Sequence, residues 1–315
     1  FGVIARGLRE KGEESGVVRS WLSAMAAAGL IWENHSRFAR PYLTRRRGIP
    51  RSGAPHPEAF RMSSLSPAEQ ALHYPFEALP QPGETLPVAP GIHWVRMALP
   101  YALDHINLWL LEDGEDWVIV DSGLGNSATR ELWDTVIATK LGGRRVSRIL
   151  VTHYHPDHAG NAAWLAERFK APVLMSQADF LTAHAHRDET AGFRREDSVA
   201  LFRANGLDAD LCDKLSVGGN AYRRGVPEFP SSYHRLIEGD EIVIGGHAWG
   251  VLMGYGHAPE HAALHCASLG VLISGDMVLP RISTNVSVPA SQPRANSLKL
   301  FLDSCLLYTS DAADE

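Results

Sequence analysis

The sequence predicts an α/β fold in which short buried strands deliver polar residues to one shared edge. Three observations carry this. Apolar runs of strand length at 92–99, 106–113 and 117–123 alternate with stretches of helical periodicity. Several apolar runs stop abruptly at a histidine or an aspartate: Asp121, His153, His257 and Asp276 each follow one. A charged, helix-patterned stretch over 177–235 interrupts the strands, which resume from Leu236.

The elements follow in order. Residues 1–61 carry ten Arg and Lys11 against five Glu, and 40–57 is Arg, Pro and Gly without a periodic apolar face. This segment is read as a non-core leader outside the native coding sequence, with a true start at Met62. A short helix is conceivable only at 20–32, and Glu10, Glu13 and Glu14 argue against an organelle-targeting leader. Residues 62–91, Pro-rich from 74, form a flexible lead-in. Three strands follow, the second and third joined by a hairpin turn at 112–116. Ser127 is placed to cap a helix carrying Leu132, Val136 and Ile137. The preceding Gly-Leu-Gly-Asn lacks the spacing and the lysine of a phosphate loop, so it is a plain strand-to-helix turn. Ile149–Val151 is a buried strand, and 172–176 another. The stretch 177–235 is expected to be a helical insertion lying over the site as a lid. Its His184 and His186, two apart on a helix, do not share a face and are read as solvated or pocket-lining. Residues 241–246 and 247–253 form a hairpin. The run from Leu269 is a strand ending in Gly275-Asp276, and a last helix begins at 297.

Composition narrows the function. At 315 residues, 45% hydrophobic and 21% charged, the chain is of ordinary globular type, one large domain or two modest ones. Its three cysteines lie far apart, so no disulfide framework is indicated and a reducing, cytoplasmic location is expected. No apolar run reaches membrane-spanning length. Residues 62–315 hold 19 basic against 31 acidic residues. That balance disfavours a nucleic-acid partner and favours a small-molecule substrate. Oligomeric state is left open.

The densest chemistry lies in Arg148–Phe169, where His153, His155, Asp157 and His158 fall within six residues. In extended backbone His153 and His155 point to one side. Pro156 then rigidifies the turn. Asp157 and His158 stand at the mouth of a helix with Ala162, Leu165, Ala166 and Phe169 on its apolar face. Imidazole and carboxylate are the usual non-sulfur ligands of zinc and related ions. Four such groups exceed what one catalytic ion with an open position needs, which points to two adjacent metals. His257, His261 and His265 recur at four-residue spacing further on. No Gly-x-Ser-x-Gly motif offers a serine nucleophile instead.

The motifs Thr-His-x-His-x-Asp-His at 152–158, Gly-His-x-Pro-x-His at 256–261 and Ser-Gly-Asp at 274–276 resemble those of the metallo-β-lactamase-fold hydrolases, over about 92–302. Their flavour is similar to the glyoxalase II-like and lactamase-like branch. The resemblance implies an αββα sandwich of two mixed β-sheets with outer helices. It implies that His153, His155 and His257 hold one metal, that Asp157 and His158 hold a second, and that Asp276 bridges. Asp121 would anchor the metal loops without binding metal. His261 and His265 receive no metal role and are read as packing or hydrogen-bonding groups. The cofactors implied are two divalent ions, zinc first, with iron or manganese as alternatives. The activity implied is hydrolysis of a thioester, ester or lactone by a metal-bound hydroxide, oriented by Asp157. The alternatives are a metal-dependent endoribonuclease and an impaired metal-binding domain. The last arises because the resemblance implies a further histidine on the second metal, and no histidine follows His265. The chain is therefore expected to be C-terminally truncated, with 305–315 an artefactual tail.

Overall fold

The structure is a computed structural model that describes residues 4–6, 74–76, 78–279 and 282–307. By internal contacts the chain forms two units, Phe1–Glu13 with Phe76–Glu315, and Glu14–Pro75. The possible helix at 20–32, most of the leader, residues 62–73 of the lead-in and residues 308–315 of the tail lie outside the described residues.

The elements are β1 (Ile4–Arg6), β2 (Thr85–Ala89), β3 (Ile92–Ala98), β4 (His105–Asp113), β5 (Asp116–Val120), α1 (Ser127–Val136), β6 (Val146–Leu150), α2 (Pro156–Ala159), α3 (Ala162–Phe169) and β7 (Val173–Ser176). There follow α4 (Gln177–Arg187), α5 (Arg195–Ala204), α6 (Ala209–Ser216), α7 (Ala221–Gly225), β8 (His234–Leu236), β9 (Glu241–Ile244), β10 (His247–Gly254), β11 (His261–Cys266), β12 (Val271–Ile273) and α8 (Ser297–Leu307). Two sheets result: a seven-stranded one in the order β2-β3-β4-β5-β6-β7-β8 and a five-stranded one in the order β1-β12-β11-β10-β9. The larger sheet is mixed, antiparallel up to β5 and parallel from β5 to β8. The smaller is antiparallel throughout, as short hairpin connections between β9 and β12 require. Its edge strand, Ile4–Arg6, comes from the segment read as leader.

The strand β5 shows why its sequence is apolar without alternation. Trp117 and Ile119 face α1 and α3, packing with Trp133, Val136 and Leu165. Val118 and Val120 face the second sheet, packing with Trp249, Val251, Leu264 and Ile273. Both faces are covered, so every position from Trp117 to Val120 is apolar. Asp113 and Asp116 pair across the predicted 112–116 turn, where Gly114 takes φ +62°.

Two local boundaries differ from the sequence reading. Asn126, not Ser127, caps α1: its backbone is extended and its side chain accepts from Thr129 N at 2.8 Å, while Ser127 is already helical. The single helix expected after His155 is two, broken at Gly160-Asn161. The break is a pin: the Asn161 amide donates to Leu124 O (2.7 Å), and Asn161 N donates to Ser122 Oγ (3.0 Å). The insertion is the helical layer α4–α7, and a strand, β8, already begins at His234.

The topology converges on one edge. β5 and β6 are parallel neighbours, so Asp121 and His153 leave side by side. β10 and β12 each run antiparallel to β11, hence parallel to each other, and deliver His257 and Asp276 to their C-terminal ends. Ala262 N donates to Thr152 O at 2.8 Å and ties the two sheets together there. Among the described residues no helix is long and apolar enough to cross a membrane.

Candidate metal centre

His153, His155, His257 and Asp276 bring one donor atom each within 4.8 Å of one another. Three nitrogens form a tight triangle: His153 Nε2 to His155 Nδ1 is 2.9 Å, His155 Nδ1 to His257 Nε2 is 3.0 Å, and His257 Nε2 to His153 Nε2 is 3.2 Å. The edge of a zinc tetrahedron with Zn–N near 2.0–2.1 Å is about 3.3 Å.

The surroundings fix which nitrogens carry protons. His257 Nδ1 lies 2.8 Å from Asn285 O, which can only accept, so Nδ1 is protonated and Nε2 presents a lone pair. The Thr152 hydroxyl sits 3.0 and 2.9 Å from the two oxygens of Asp121 and gives its proton there. It is therefore the acceptor for His153 Nδ1–H at 3.0 Å, which leaves His153 Nε2 as a second lone pair. Two lone pairs 3.2 Å apart repel. A proton on His155 Nδ1 could serve them only by sharing. A cation satisfies all three nitrogens at once, and this is the test the residues pass. Burial, reinforced by the neighbouring imidazoles, holds His153 and His155 well below the usual histidine range, so neither adds a competing charge.

A second group adjoins the first. His158 Nδ1 donates to Asp121 Oδ2 at 2.8 Å, so in the neutral ring Nε2 is the lone pair. That buried Nε2 lies 3.4 Å from Asp276 Oδ1 and 3.8 Å from Asp157 Oδ2, without an aligned hydrogen bond. Asp276 Oδ2 reaches the other way, 3.5 Å from His257 Nε2. Burial opposes charge on His158, yet Asp276, Asp121 and Asp157 outweigh it and hold its pKa well above the ordinary value. Burial likewise opposes charge on Asp276, and His158 outweighs it. The cluster thus favours a positive charge at this point, which a proton or a metal ion can supply.

The backbone is built to hold these groups. Asp121 sits at φ +63°, a conformation few residues besides glycine adopt and one that aspartate tolerates. There its carboxylate accepts from Thr152 N (2.8 Å), the Thr152 hydroxyl and His158, holding two neighbours of the centre without entering it. Gly275 takes φ +51°, and a Cβ there would lie 2.4 Å from the His261 ring. The close approach lets His261 Nε2 accept from Asp276 N at 3.0 Å, so His261 orients the Asp276 loop. His265 is exposed on β11. His184 Nε2 contacts Pro230 O at 3.1 Å, away from the centre. His186 stacks on Tyr154 at 5.3 Å and, with Phe193, Val199, Phe202 and Tyr222, lines a cavity of about 220 Å³. Sequence marks Thr152 only as the first residue of the 152–158 motif and gives no signal at Ser122. Ser122 accepts from Asn161 N and donates to His158 O at 2.7 Å, clamping α2. A serine or threonine beside a strand end is too common to mark itself.

The model of the Metallo-beta-lactamase superfamily matches residues 102–312. The chain belongs to the metallo-beta-lactamase superfamily. Two solved superfamily structures are similar to it. A beta-lactamase domain protein from Burkholderia ambifaria is 46% identical with a TM-score of 0.68, over 75% of this chain and 68% of that one. A metallo-beta-lactamase family protein from Thermus thermophilus is 33% identical with a TM-score of 0.58, over 68% of each. Among curated relatives, the human acyl-coenzyme A thioesterase MBLAC2 is 25% identical over 60% of this chain. A hydroxyacylglutathione hydrolase from Idiomarina loihiensis is 24% identical over 56%. The chain spans 63% of the length of the first and 47% of the second.

Proposed function

We propose that the protein is a metal-dependent hydrolase of a thioester, with esters and lactones as related substrates. The observation that carries this is the convergence of three imidazole nitrogens, two of them held as lone pairs by their hydrogen bonds, beside a His158–Asp157–Asp276 group. In this reading His153 Nε2, His155 Nδ1 and His257 Nε2 hold one divalent ion, Asp157 and His158 Nε2 a second, and Asp276 reaches both. Zinc suits the donors best; iron and manganese suit them as well. Bound there, such ions lower the pKa of a water and polarise a carbonyl. In this reading the part-exposed Asp157 carboxylate orients the attacking water. Asp121 keeps His158 in the tautomer that presents Nε2. The thioester preference draws on the two curated relatives, both named for thioester substrates.

The test is turnover of acyl-coenzyme A, acylglutathione, lactone and single-stranded RNA by the metal-loaded protein, with and without chelator. Thioester cleavage abolished by chelation is expected. Salt-sensitive RNA cleavage in its place would favour an endoribonuclease. A second reading, a mononuclear and catalytically impaired domain, is favoured by the compactness of the His153, His155, His257 and Asp276 set. It requires one metal per chain and no turnover of any of these substrates.

A further inference from the structure

The buried carboxylate of Asp179 takes no part in the centre described above, yet it touches both loops that build it. Asp179 is the third residue of α4, behind the cap Ser176, and is fully buried. A carboxylate at this position ordinarily serves its own helix. Here both oxygens leave the helix. Oδ1 accepts from Tyr154 N at 2.9 Å, the peptide between His153 and His155. Oδ2 accepts from Glu260 N at 2.7 Å, in the loop that carries His257 and leads into His261. Glu260 answers in kind: its Oε2 accepts from Ala178 N at 3.2 Å. Ser176 Oγ, 3.2 Å from Asp179 Oδ2, completes the set.

We infer that Asp179 is a positioning residue that locks the His153–His155 loop to the His257 loop and so sets the spacing of the three-histidine triangle. The argument is one of distance and rigidity. The triangle requires Nε2 of His257 to stay about 3 Å from two nitrogens of another sheet. Asp179 is one rigid carboxylate whose oxygens accept from the backbone of both loops, 2.9 Å from Tyr154 N and 2.7 Å from Glu260 N, and one acceptor group shared by two loops fixes their separation. Its helix opens the α4–α7 insertion, and His186 on the same helix stacks on Tyr154. The lock therefore also couples the insertion to the ligand loops.

The inference rests on the reading of His153, His155 and His257 as metal ligands, and the experiment separates the two. Cobalt(II) is titrated into metal-free protein, reading affinity by chelator competition and geometry by the visible absorption of the ion. Unfolding of the metal-free forms is followed in parallel. His257→Ala must abolish the wild-type band; if it does not, the ligand reading itself fails. Asp179→Asn keeps the shape but one acceptor oxygen, and is expected to weaken binding about 10- to 100-fold with an altered band, the usual effect of losing such a support. Ser176→Ala removes the cap and the 3.2 Å contact to Asp179 Oδ2 but leaves both bonds to the loops, and is expected to lower stability with affinity and band unchanged. The inference is overturned if Asp179→Asn behaves like Ser176→Ala, less stable but with wild-type cobalt binding. Should Asp179→Asn fail to fold, Asp179→Glu decides, since it keeps two acceptor oxygens but displaces them by one methylene: a shifted band supports the lock, a wild-type band and affinity refute it.

Discussion

Replacing Asp121 by asparagine tests how the centre is wired. The native carboxylate uses Oδ1 for Thr152 N (2.8 Å) and Oδ2 for His158 Nδ1 (2.8 Å), with the Thr152 hydroxyl between them. Asparagine tolerates the φ of +63° and keeps the shape, but offers one acceptor and one donor end. With its NH2 toward Thr152 N, two donors face each other in a buried place, at about 1–3 kcal/mol. With its NH2 toward His158, the imidazole must give up its Nδ1 proton and keeps one on Nε2, losing the charge that Asp121 helps to hold. The second arrangement wins, and it points N–H instead of a lone pair at Asp157 and Asp276. Metal-free stability should fall as well, because Asp121 is one of the three carboxylates that favour the charged form of His158. Affinity on the His158 side should fall about 10- to 100-fold, or about 1.4–2.8 kcal/mol. Competition with a chromophoric chelator, alongside thermal unfolding of the metal-free protein, measures both. Wild-type affinity for both equivalents of metal in Asp121→Asn would refute the wiring.

Three further outcomes follow from the same geometry. Gly275→Ala combines an unfavourable φ with a Cβ 2.4 Å from His261, and should cost more than about 2 kcal/mol by denaturant unfolding and displace Asp276, seen as lost metal. His186, moved by burial from 6.5 to about 4, stays neutral in the fold while the unfolded chain takes up a proton. Its contribution to stability is intact above pH 6.5, declines as pH falls toward 4 and levels off below. His186→Phe keeps the stack on Tyr154 and should remove about 1–3 kcal/mol of that decline, read from melting temperature against pH in the metal-free protein. Stripping the metal from wild type should lower stability by roughly 4 kcal/mol if free metal stood at a thousand times its Kd, and should lower His257→Ala far less.

Much of the centre was legible because its signals are local. An apolar strand ending in histidine or aspartate needs no knowledge of the rest of the chain, and Asp121, His153, His257 and Asp276 all announced themselves so. The cap of α1 was misplaced by one residue, since Asn126 and Ser127 both suit the role and only backbone angle separates them. The break between α2 and α3 depends on Leu124 and Ser122, more than 35 residues earlier, and leaves no periodic trace. Asp179 read as one acid among many on a charged helix, because its partners are 25 and 81 residues away. The tautomers of His153 and His257 are set by Thr152, held by Asp121 31 residues earlier, and by Asn285 O 28 residues later, contacts that the local sequence does not show.

The most direct test is an anomalous difference map from crystals of the protein loaded with zinc. The account predicts a peak bonded at about 2.0–2.1 Å to His153 Nε2, His155 Nδ1 and His257 Nε2, with Asp276 facing it. A peak held by other residues, or the three nitrogens left bare beside a saturating metal, would contradict it.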